Sequence, residues 1–323
     1  MRIPGIVLAV VLTWALPSRA QEAFEKQVSD GVFSAAGSAR IALAQERTPG
    51  TPRELVLRVL TFNINGLPTH PKKKHERYRA TGKILGRLRQ EGKAPHLVAI
   101  QEAFHGRTKE LSDEAGYPYL AWGQGPAPGK LMGSGLLVLS EYPLDAASTT
   151  DYQKCAGWDC FANKGALHVS VRVPGFPEAV DFYDTHLNAD GNNGADEGEA
   201  QKARDSQIAA LIAFVGETRK PGAPLLFAAD FNFQPGFPDY EAFSRGLSLR
   251  NAAEECSISK DCAGDRDAEG IWRSSVDHHF YASGSEAGVR VRPVSVEQTF
   301  KEPVDGQPSS DHLGLEVHCR LSW

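Results

Sequence analysis

The chain has no excess of positive charge and, after its first twenty residues, no long apolar run. Its 35 Lys and Arg residues are outnumbered by 40 Asp and Glu residues, and the formal net charge is −5. A sequence-independent DNA-binding protein normally presents a basic surface, because phosphate neutralisation supplies most of its affinity. The charge balance therefore disfavours nucleic acid as a partner. A membrane-spanning helix needs an apolar run of about 18 residues, so none is expected after residue 20.

The first twenty residues have the pattern of a secretory leader. Arg2 is followed by an apolar stretch over residues 6–16 and then by small residues at Ser18 and Ala20. Because this stretch is too short to span a bilayer, we expect a signal peptide cleaved after Ala20 and a secreted or periplasmic protein. An uncleaved membrane anchor is the alternative. Removal of Arg2 and Arg19 with the leader makes the formal charge of the mature chain −7.

Cysteine is scarce, and its spacing favours disulfides over a metal site. The five cysteines are Cys155, Cys160, Cys256, Cys262 and Cys319. In an exported protein they are read first as disulfides. The two close pairs are the economical pairing and leave Cys319 over, although other connectivities remain open. The pairs lack the two-residue interval usual in zinc sites, which disfavours zinc.

Composition divides the chain into three parts. After the leader, residues 21–54 are rich in Ala, Ser, Gly and Arg and contain the break TPGTP at 48–52, so we interpret them as an N-terminal extension. Residues 55–323 are expected to form the main domain. The roughly 300 residues after the leader are enough for one large domain or two small ones.

Apolar runs of strand length recur along the main domain, with helical patterns between some of them. The predicted strands cover 55–62, 96–100, 135–140, 166–173, 179–187, 224–230, 276–282 and 313–319, and the predicted helices cover 76–90 and 196–217. Several of the strands alternate apolar and polar residues, as half-buried strands do. Strand-to-strand connections mixed with helical crossovers indicate two packed sheets with helices outside.

Side chains suited to metal binding or proton transfer lie where these strands end or begin. They are Asn63, Glu102, His186, Asp230, Asn232, Asp277, Asp311 and His312. A single Asp or His at a strand end is usually a cap or turn residue. A series of such residues between positions 63 and 312 indicates a shared chemical role instead.

The motifs that carry these residues resemble those of the endonuclease/exonuclease/phosphatase superfamily. In order they read FNING, IQE, DTHLNAD, AADFN, VDHHF and SSDH. The resemblance runs from about Leu55 to His318 and makes 55–323 a catalytic domain of this type. It implies an α/β fold, a four-layer α/β/β/α sandwich of two mixed β-sheets like that of DNase I, with the active site at one edge of both sheets. Ala229 replaces a usual glycine in AADFN, but the Asp-x-Asn spacing is kept.

The resemblance implies a site for a divalent cation. Glu102 would be the principal carboxylate ligand of Mg²⁺, with Asn63 beside it, and Asp311 would serve a second metal or orient its neighbours. A hard cation suits this chemistry, because it takes oxygen ligands and neutralises phosphoryl oxygens. Mn²⁺ or Co²⁺ are other cations that such a site accepts.

The resemblance also implies catalytic roles. His312 would be the general base toward water, in the pH range where histidine usually titrates. Asp277 would orient His312. Asp230 and Asn232 match the pair that steers the phosphate and handles the leaving-group oxygen, and His186 matches a group that stabilises phosphoryl charge.

The stretch CAGWDCFANKGAL, residues 155–167, bears on the substrate. Neutral sphingomyelinases carry a pattern like Asp-x-x-Ala-x-Lys-Gly here, and Asp159, Ala162, Lys164 and Gly165 match it. Arg204 and Gln207 match a further motif of the same enzymes. Lys164 would help to bind a lipid phosphate, and Asp159 would pair with it. The alternative for Lys164 is a surface strand cap.

These resemblances imply a secreted, Mg²⁺-dependent, sphingomyelinase-type phospholipase C that hydrolyses sphingomyelin, or a related choline phospholipid of a membrane surface, to ceramide and phosphocholine. We expect a monomer. The alternatives are a secreted DNase I-like nuclease, a phosphoinositide phosphatase and a protein that only binds a partner. Secreted bacterial sphingomyelinases insert an aromatic-tipped hairpin into membranes, but the corresponding turn YASGSEAGVRV has Ser, Gly and Glu at its tip. Other exposed apolar residues, such as Trp158 or Phe161, would then have to contribute to membrane insertion.

Overall fold

The computed structural model describes residues 53–66, 71–104, 106, 108–190, 193–264, 268–284, 288–303, 306 and 308–323. The predicted signal peptide, nearly all of the N-terminal extension and the tip of the YASGSEAGVRV turn lie outside these residues. The described residues belong to one compact unit, Pro52–Trp323. Within it no helix is both long enough and apolar enough to cross a membrane.

The described part of the chain forms thirteen strands, six α-helices and a short 3-10 helix at Gly157–Phe161. The strands are β1 (Glu54–Asn63), β2 (Leu97–Gln101), β3 (Tyr119–Trp122), β4 (Leu137–Ser140), β5 (Leu144–Asp151), β6 (Gly165–Val171), β7 (Val180–Thr185), β8 (Leu225–Asp230), β9 (Arg250–Asn251), β10 (Ala263–Gly264), β11 (Asp277–Ala282), β12 (Arg290–Thr299) and β13 (Gly314–Ser322). The helices are α1 (Pro71–Gln90), α2 (Thr108–Ala115), α3 (Glu197–Thr218), α4 (Pro238–Gly246), α5 (Ala252–Ile258) and α6 (Ala268–Ser274).

The strands form two mixed sheets. One has seven strands in the order β10-β12-β13-β1-β2-β4-β3, and the other has six in the order β5-β6-β7-β8-β11-β9. In the first, β1 is antiparallel to β13 and parallel to β2. In the second, β7 is parallel to β8, and β8 is antiparallel to β11. These sheets confirm the predicted fold class.

Alternating side chains of the central strands build three apolar cores. Leu57 and Val59 of β1 pack between the sheets, whereas Leu60 and Phe62 of the same strand face α1 and α2. Likewise Ala228 of β8 packs between the sheets, and its neighbours on either side pack against α3 and α4. Because successive residues of a strand point to opposite faces, a strand buried on both sides reads as a continuous apolar run. One core between the sheets and one under each helical layer make four layers.

The predicted helices are confirmed with small changes at their starts. The helix predicted at 76–90 begins earlier, at Pro71; proline suits a first turn, whose N–H groups have no intrahelical acceptor. The helix predicted at 196–217 is α3, with Asp196 as N-cap, because its carboxylate accepts a hydrogen bond from the Glu199 N–H.

Both close cysteine pairs form disulfides, as the spacing favoured. Cys155 is joined to Cys160, and Cys256 is joined to Cys262. Cys319 is a buried free thiol, and burial raises its pKa to about 12. Such a thiol is inert, since the thiolate is the reactive form.

Acid is expected to destabilise the fold through its buried histidines. His278 and His279 donate hydrogen bonds to the carbonyls of Phe233 and Leu315, and burial lowers the pKa of each imidazole to about 4. Since the unfolded chain binds these protons with a pKa near 6.5, the stabilisation is complete above about pH 6.5 and is lost as the pH falls toward 4. We expect the free energy of unfolding to fall by about 1–2 kcal/mol per histidine between pH 7.5 and 5.

Urea unfolding at the two pH values measures this change. The His279→Gln variant is the matched comparison, because glutamine can donate to the same carbonyl and does not titrate. It should lose less stability between pH 7.5 and 5 than the wild type does. An equal loss in both proteins would show that this histidine does not cause the acid sensitivity.

Candidate active site

The candidate residues converge where central strands of both sheets end. Asn63 ends β1, and Glu102 directly follows the parallel strand β2. In the other sheet Asp230 ends β8 and lies opposite Asp277, the first residue of the antiparallel β11. The carboxyl ends of parallel strands meet at one edge of a sheet. The predicted clustering of these residues is therefore observed.

Asn63 connects the two sheets at this edge. Its buried amide nitrogen donates hydrogen bonds to Glu102 Oε1 at 3.1 Å and to Asp230 Oδ2 at 2.9 Å. Its amide oxygen accepts a hydrogen bond from the Asn65 N–H at 2.9 Å. One side chain thus fixes a carboxylate from each sheet.

The backbone at the site departs from regular strand geometry. Glu102 and Asn232 have φ angles of +60° and +52°, a left-handed conformation that is costly for residues other than glycine, least so for asparagine. Gly66, at the end of the FNING motif, faces this turn. A β-carbon there would lie 1.7 Å from the Glu102 carbonyl oxygen, so only glycine fits. The turn directs the chain sharply after β2.

His312 and Asp277 form a hydrogen-bonded pair. His312 Nδ1 lies 2.8 Å from Asp277 Oδ2, which leaves Nε2 facing the site at 3.9 Å from Asp230 Oδ2. The Ser310 hydroxyl donates to the Asn63 carbonyl at 2.7 Å and accepts from the His312 N–H at 3.2 Å. The loop that carries His312 is thereby anchored to the end of β1. Ser310 lies within the SSDH motif, but the motif alone does not predict this anchoring role.

Nearby carboxylates control the protonation of His312. Burial disfavours the charged imidazolium, but the hydrogen bond and charge of Asp277 outweigh it. Together with the charges of Asp230 and Asp311, these two effects of Asp277 raise the pKa of the imidazole to about 10. At neutral pH the carboxylates alone therefore hold a proton on His312.

His186 lies beside Asp230 as a neutral imidazole. Its Nε2 is 3.4 Å from Asp230 Oδ2, and the two residues also form an isolated β-bridge. Burial, followed by the positive charge of Lys164, lowers the pKa of His186 to about 4. Burial also raises the pKa of Asp230, although the histidines next to it oppose this shift. The site thus holds titratable groups whose environments separate their pKa values, as is common at catalytic centres.

The oxygen donors at this edge fit a divalent cation. Asp230, Asp277 and His312 each offer a ligand atom, and these atoms lie within 4.8 Å of one another. Asp277 Oδ1 is buried without a hydrogen-bond partner in the described part of the chain. A donor set rich in carboxylates suits Mg²⁺. Through Asn63, Glu102 lies next to the same carboxylates.

Two of the three predicted metal ligands lie at the carboxylate cluster, and the third lies outside it. Glu102 and Asn63 lie at the carboxylate cluster, and Asp230 and Asp277, predicted to be catalytic, supply its converging oxygens. Asp311 is exposed, its Oδ1 lies 3.2 Å from the Ser310 hydroxyl oxygen, and it acts on His312 through its charge. Asp311 is not in the cluster of converging ligand atoms. The assignment of individual ligands stays a prediction.

Lys164 and Asp159 form a buried ion pair beside the site. Lys164 Nζ lies 2.7 Å from Asp159 Oδ1, with side chains 2% and 13% exposed. Burial favours a protonated Asp159, but the charges of Lys164 and His186 and the hydrogen bonds outweigh it and lower the pKa to about 2. The Asp159 carboxylate also accepts hydrogen bonds from the Ala189 N–H and the Asn193 amide. Both predicted substrate-binding residues thus already have protein partners.

The Leu187 carbonyl connects this ion pair to the catalytic residues. It accepts a hydrogen bond from Lys164 Nζ at 2.7 Å and another from the Asn232 amide at 3.1 Å. Asn232 also donates its N–H to Asp230 Oδ1 at 3.1 Å. Since Leu187 directly follows His186, Lys164 helps to position His186 and Asn232 whether or not it also contacts substrate.

Arg204 and Gln207 of α3, the other residues of the substrate motif, brace the same region. Gln207 accepts from the Asn188 N–H at 2.8 Å and donates to the Lys154 carbonyl at 2.8 Å. Arg204 forms a buried ion pair with Asp239 at 2.8 Å and also bonds Asp190. These contacts attach the segment after His186 to helix α3. The motif therefore stabilises the position of this segment beside the site.

Sequence reasoning missed two buried groups near the site. The Tyr78 hydroxyl is buried beside Gly66, and burial, with the charge of Glu102, raises its pKa to about 12. Asp184 accepts a hydrogen bond from the Gln101 amide at 2.7 Å, which joins the sheets behind Asp230, and burial raises its pKa well above the usual range. Gln101 and Asp184 lie within quoted motifs, whereas nothing in the pattern around Tyr78 separates it from an apolar helix face.

Comparison with known proteins agrees with these motifs. The profile described as Endonuclease/Exonuclease/phosphatase family matches residues 60–312, a range that contains every candidate residue. A Drosophila melanogaster protein named "Putative neutral sphingomyelinase" is 28% identical over 283 residues, which cover 83% of this chain and 61% of that protein. The chain therefore spans less than two thirds of the length of this relative.

Solved structures with a similar fold carry different chemistries. A beta toxin variant from Staphylococcus aureus with bound magnesium ions has a TM-score of 0.63 at 17% identity, covering 82% of this chain and 99% of that one. Sphingomyelinase C from Streptomyces griseocarneus has a TM-score of 0.61 at 20% identity, with coverage of 82% and 99%. D. rerio TDP2 complexed with a single strand DNA product has a TM-score of 0.59 at 18% identity, with coverage of 82% and 98%. Such likeness establishes the fold, and the substrate has to be argued from the site.

Proposed function

The chain belongs to the Endonuclease/Exonuclease/phosphatase family, and from this premise we propose that it is a secreted, Mg²⁺-dependent, sphingomyelinase-type phospholipase C. Its proposed reaction is the hydrolysis of sphingomyelin to ceramide and phosphocholine. The observation that carries the hydrolytic part is the His312–Asp277 pair, whose free Nε2 faces Asp230. A histidine oriented by a carboxylate and directed at a cluster of oxygen ligands suits the activation of water beside a bound phosphate.

Each group has a defined place in the proposed reaction. Asp277 holds His312 Nδ1, so that Nε2 takes a proton from the attacking water. The water oxygen bonds to phosphorus, and the bond from phosphorus to the ceramide oxygen breaks. The proton is returned to the leaving oxygen within the site, where Asp230 and Asn232 lie. A neutral His186 can donate a hydrogen bond to a phosphoryl oxygen without a protonation change.

A bound divalent cation supplies positive charge that opposes the carboxylates and polarises the phosphoryl oxygens. The residues that would hold it are Asp230 and Asp277, whose ligand atoms converge, together with the predicted ligands Glu102 and Asn63 beside them. Because these carboxylates otherwise hold a proton on His312 at neutral pH, the base role of His312 is expected to depend on the cation.

The lipid part of the proposal is supported by the substrate motif and by the relative. Asp159 and Lys164 occur together beside His186, and the curated relative is named for a neutral sphingomyelinase. The mature formal charge of −7 favours a zwitterionic headgroup over DNA. A nuclease is the second candidate, because the TDP2 structure with a DNA product has a similar fold.

A substrate panel tests the proposal. Mature protein collected from the medium of a secreting host, with Gln21 as its expected first residue, is assayed on sphingomyelin liposomes, phosphatidylcholine liposomes and plasmid DNA. We expect phosphocholine release from sphingomyelin, loss of this activity in EDTA and recovery with excess Mg²⁺, because the oxygen ligands require a hard cation. Nucleotide release from DNA without action on sphingomyelin would instead select the nuclease.

A further inference from the structure

A large apolar groove lies beside the candidate active site. Its volume is about 1070 Å³. Its lining includes Ala103 and Phe104, which directly follow Glu102 in the sequence, and Trp158, which directly precedes Asp159, so the groove lies next to the site. The other walls come from the connection between β3 and β4 and from the loop closed by the Cys155–Cys160 disulfide.

The rim of the groove gathers exposed apolar side chains. Leu131, Trp158 and Phe161 are 74%, 64% and 50% exposed. With Leu120 and Trp122 they make up five of the ten large apolar side chains that are exposed in the described ranges. Single exposed apolar residues are ordinary, but a cluster around one groove marks an interaction surface.

The groove is almost free of charge. Lys109 and Asp113 are the charged residues in its lining, and their side chains pair with each other at 2.7 Å. The lining therefore presents no net charge that would attract a polyanion. An uncharged apolar surface with tryptophan at its rim matches the interface of a zwitterionic bilayer, where aromatic side chains lie at headgroup level.

The rim is held in place by backbone hydrogen bonds. The N–H groups of Leu131 and Met132 both donate to the Phe161 carbonyl, at 2.8 and 3.1 Å. Lys130 Nζ donates to the Cys160 carbonyl at 3.0 Å. Two segments distant in sequence thus present their apolar side chains together, which lowers the cost of ordering the backbone at binding.

We propose that this groove binds the surface of a zwitterionic lipid bilayer, with Leu131, Trp158 and Phe161 inserted among the lipid chains. This proposal rests on the proposed function, from which it takes the choice of lipid. It adds the means by which the membrane surface is reached. Because the lining includes Ala103 and Phe104, which directly follow Glu102 in the sequence, a bilayer seated on the groove would bring lipid phosphates close to the edge that carries His312.

The test measures vesicle binding separately from turnover. Wild-type protein and the triple variant Leu131→Ser/Trp158→Ser/Phe161→Ser are floated with phosphatidylcholine–sphingomyelin vesicles in EDTA. We expect the triple variant to partition at least about tenfold less, since inserted apolar side chains supply the binding energy. Ile258→Ser is the matched control, because Ile258 is 82% exposed but does not line the groove. It should bind as the wild type does.

Two single-residue variants provide further tests of the proposal. Leu131→Ser alone, which changes the most exposed of the three side chains, should bind more weakly with an unchanged unfolding midpoint. Brominated lipid chains should quench wild-type tryptophan fluorescence, and Trp158→Phe should lose most of this quenching. Equal vesicle binding by the wild type and the triple variant would overturn the proposal, as would concentration-dependent dimerisation through these residues without vesicle binding.

Cleavage of a short-chain sphingomyelin dissolved as monomers separates this proposal from the proposed function. If the wild type binds vesicles and the triple variant does not, but the wild type does not cleave this substrate, the proposed function fails and the bilayer surface stands. If it cleaves the substrate and the triple variant binds vesicles normally, the bilayer surface fails and the proposed function stands.

Discussion

Replacing His312 with alanine is expected to lower kcat for phosphodiester hydrolysis by about 10²–10⁴-fold, because the water then loses its proton acceptor. The loss should fall on kcat rather than on KM, since the imidazole acts on the transition state. The protein should stay folded, because the His312 side chain is bonded to Asp277 alone among the described residues and is 21% exposed. Steady-state kinetics on the substrate selected by the panel, with circular dichroism as a folding check, measures the effect.

His318→Ala is the matched control for this variant. His318 lies in β13, is 30% exposed and pairs with Glu316, away from the site. Its removal should leave kcat within about twofold of the wild type. A folded His312→Ala protein with near-normal kcat would contradict the assignment of His312 as the general base. Another titratable group at this edge of the two sheets would then be the candidate.

Replacing Asp159 with asparagine is expected to lower the free energy of unfolding by about 3 kcal/mol, because it leaves the ammonium of Lys164 buried without its charged partner. Lys164→Met should cost less, since the Asp159 carboxylate keeps hydrogen bonds from Ala189 and Asn193. The double variant Asp159→Asn/Lys164→Met should recover part of the loss. Urea unfolding of the four proteins provides the double-mutant cycle.

Kinetics of the same variants separates the two roles of Lys164. If Lys164 mainly positions the Leu187 carbonyl, and through it His186 and Asn232, then kcat falls in Lys164→Met and stays low in the double variant, because both lack the ammonium that bonds this carbonyl. If Lys164 binds the lipid phosphate as the motif predicts, KM rises in Lys164→Met and stays high in the double variant. Additive stability losses in the cycle would contradict the coupling that the 2.7 Å contact implies.

Much of the fold was readable from periodicity because the central strands are buried on both faces. The run in β8 is apolar up to Asp230, the run in β1 is apolar apart from Arg58 and Thr61, and both strands were predicted within one or two residues. Strands at or next to a sheet edge, such as β5 and β12, were missed. β5 reads LDAASTTD and contacts a sheet on one side only, and β12 is interrupted by a bulge between Pro293 and Ser295. Such strands carry little apolar signal.

The composition of the site was predictable, but its connections were not. Strand ends indicate which residues share an edge, and this placed Asn63, Asp230 and Asp277 together. Sequence spacing contains no distance across two sheets. It could not show that Asn63 bonds carboxylates from both of them, or that Asp159 and Lys164 are buried. Residues such as Tyr78 become relevant only once helix α1 is packed against the turn at Gly66.

Because Asn63 is hydrogen-bonded to a carboxylate from each sheet, catalytic activity depends on how the two sheets pack against each other. The Asn63 amide reaches Glu102 in one sheet and Asp230 in the other, and each hydrogen bond is no longer than 3.1 Å. A displacement of one sheet by about an ångström breaks at least one of these bonds, given the steep distance dependence of hydrogen bonding. A chain with formed sheets that have not yet docked is therefore inactive. Recovery of activity during refolding would follow the last step of assembly rather than the appearance of secondary structure.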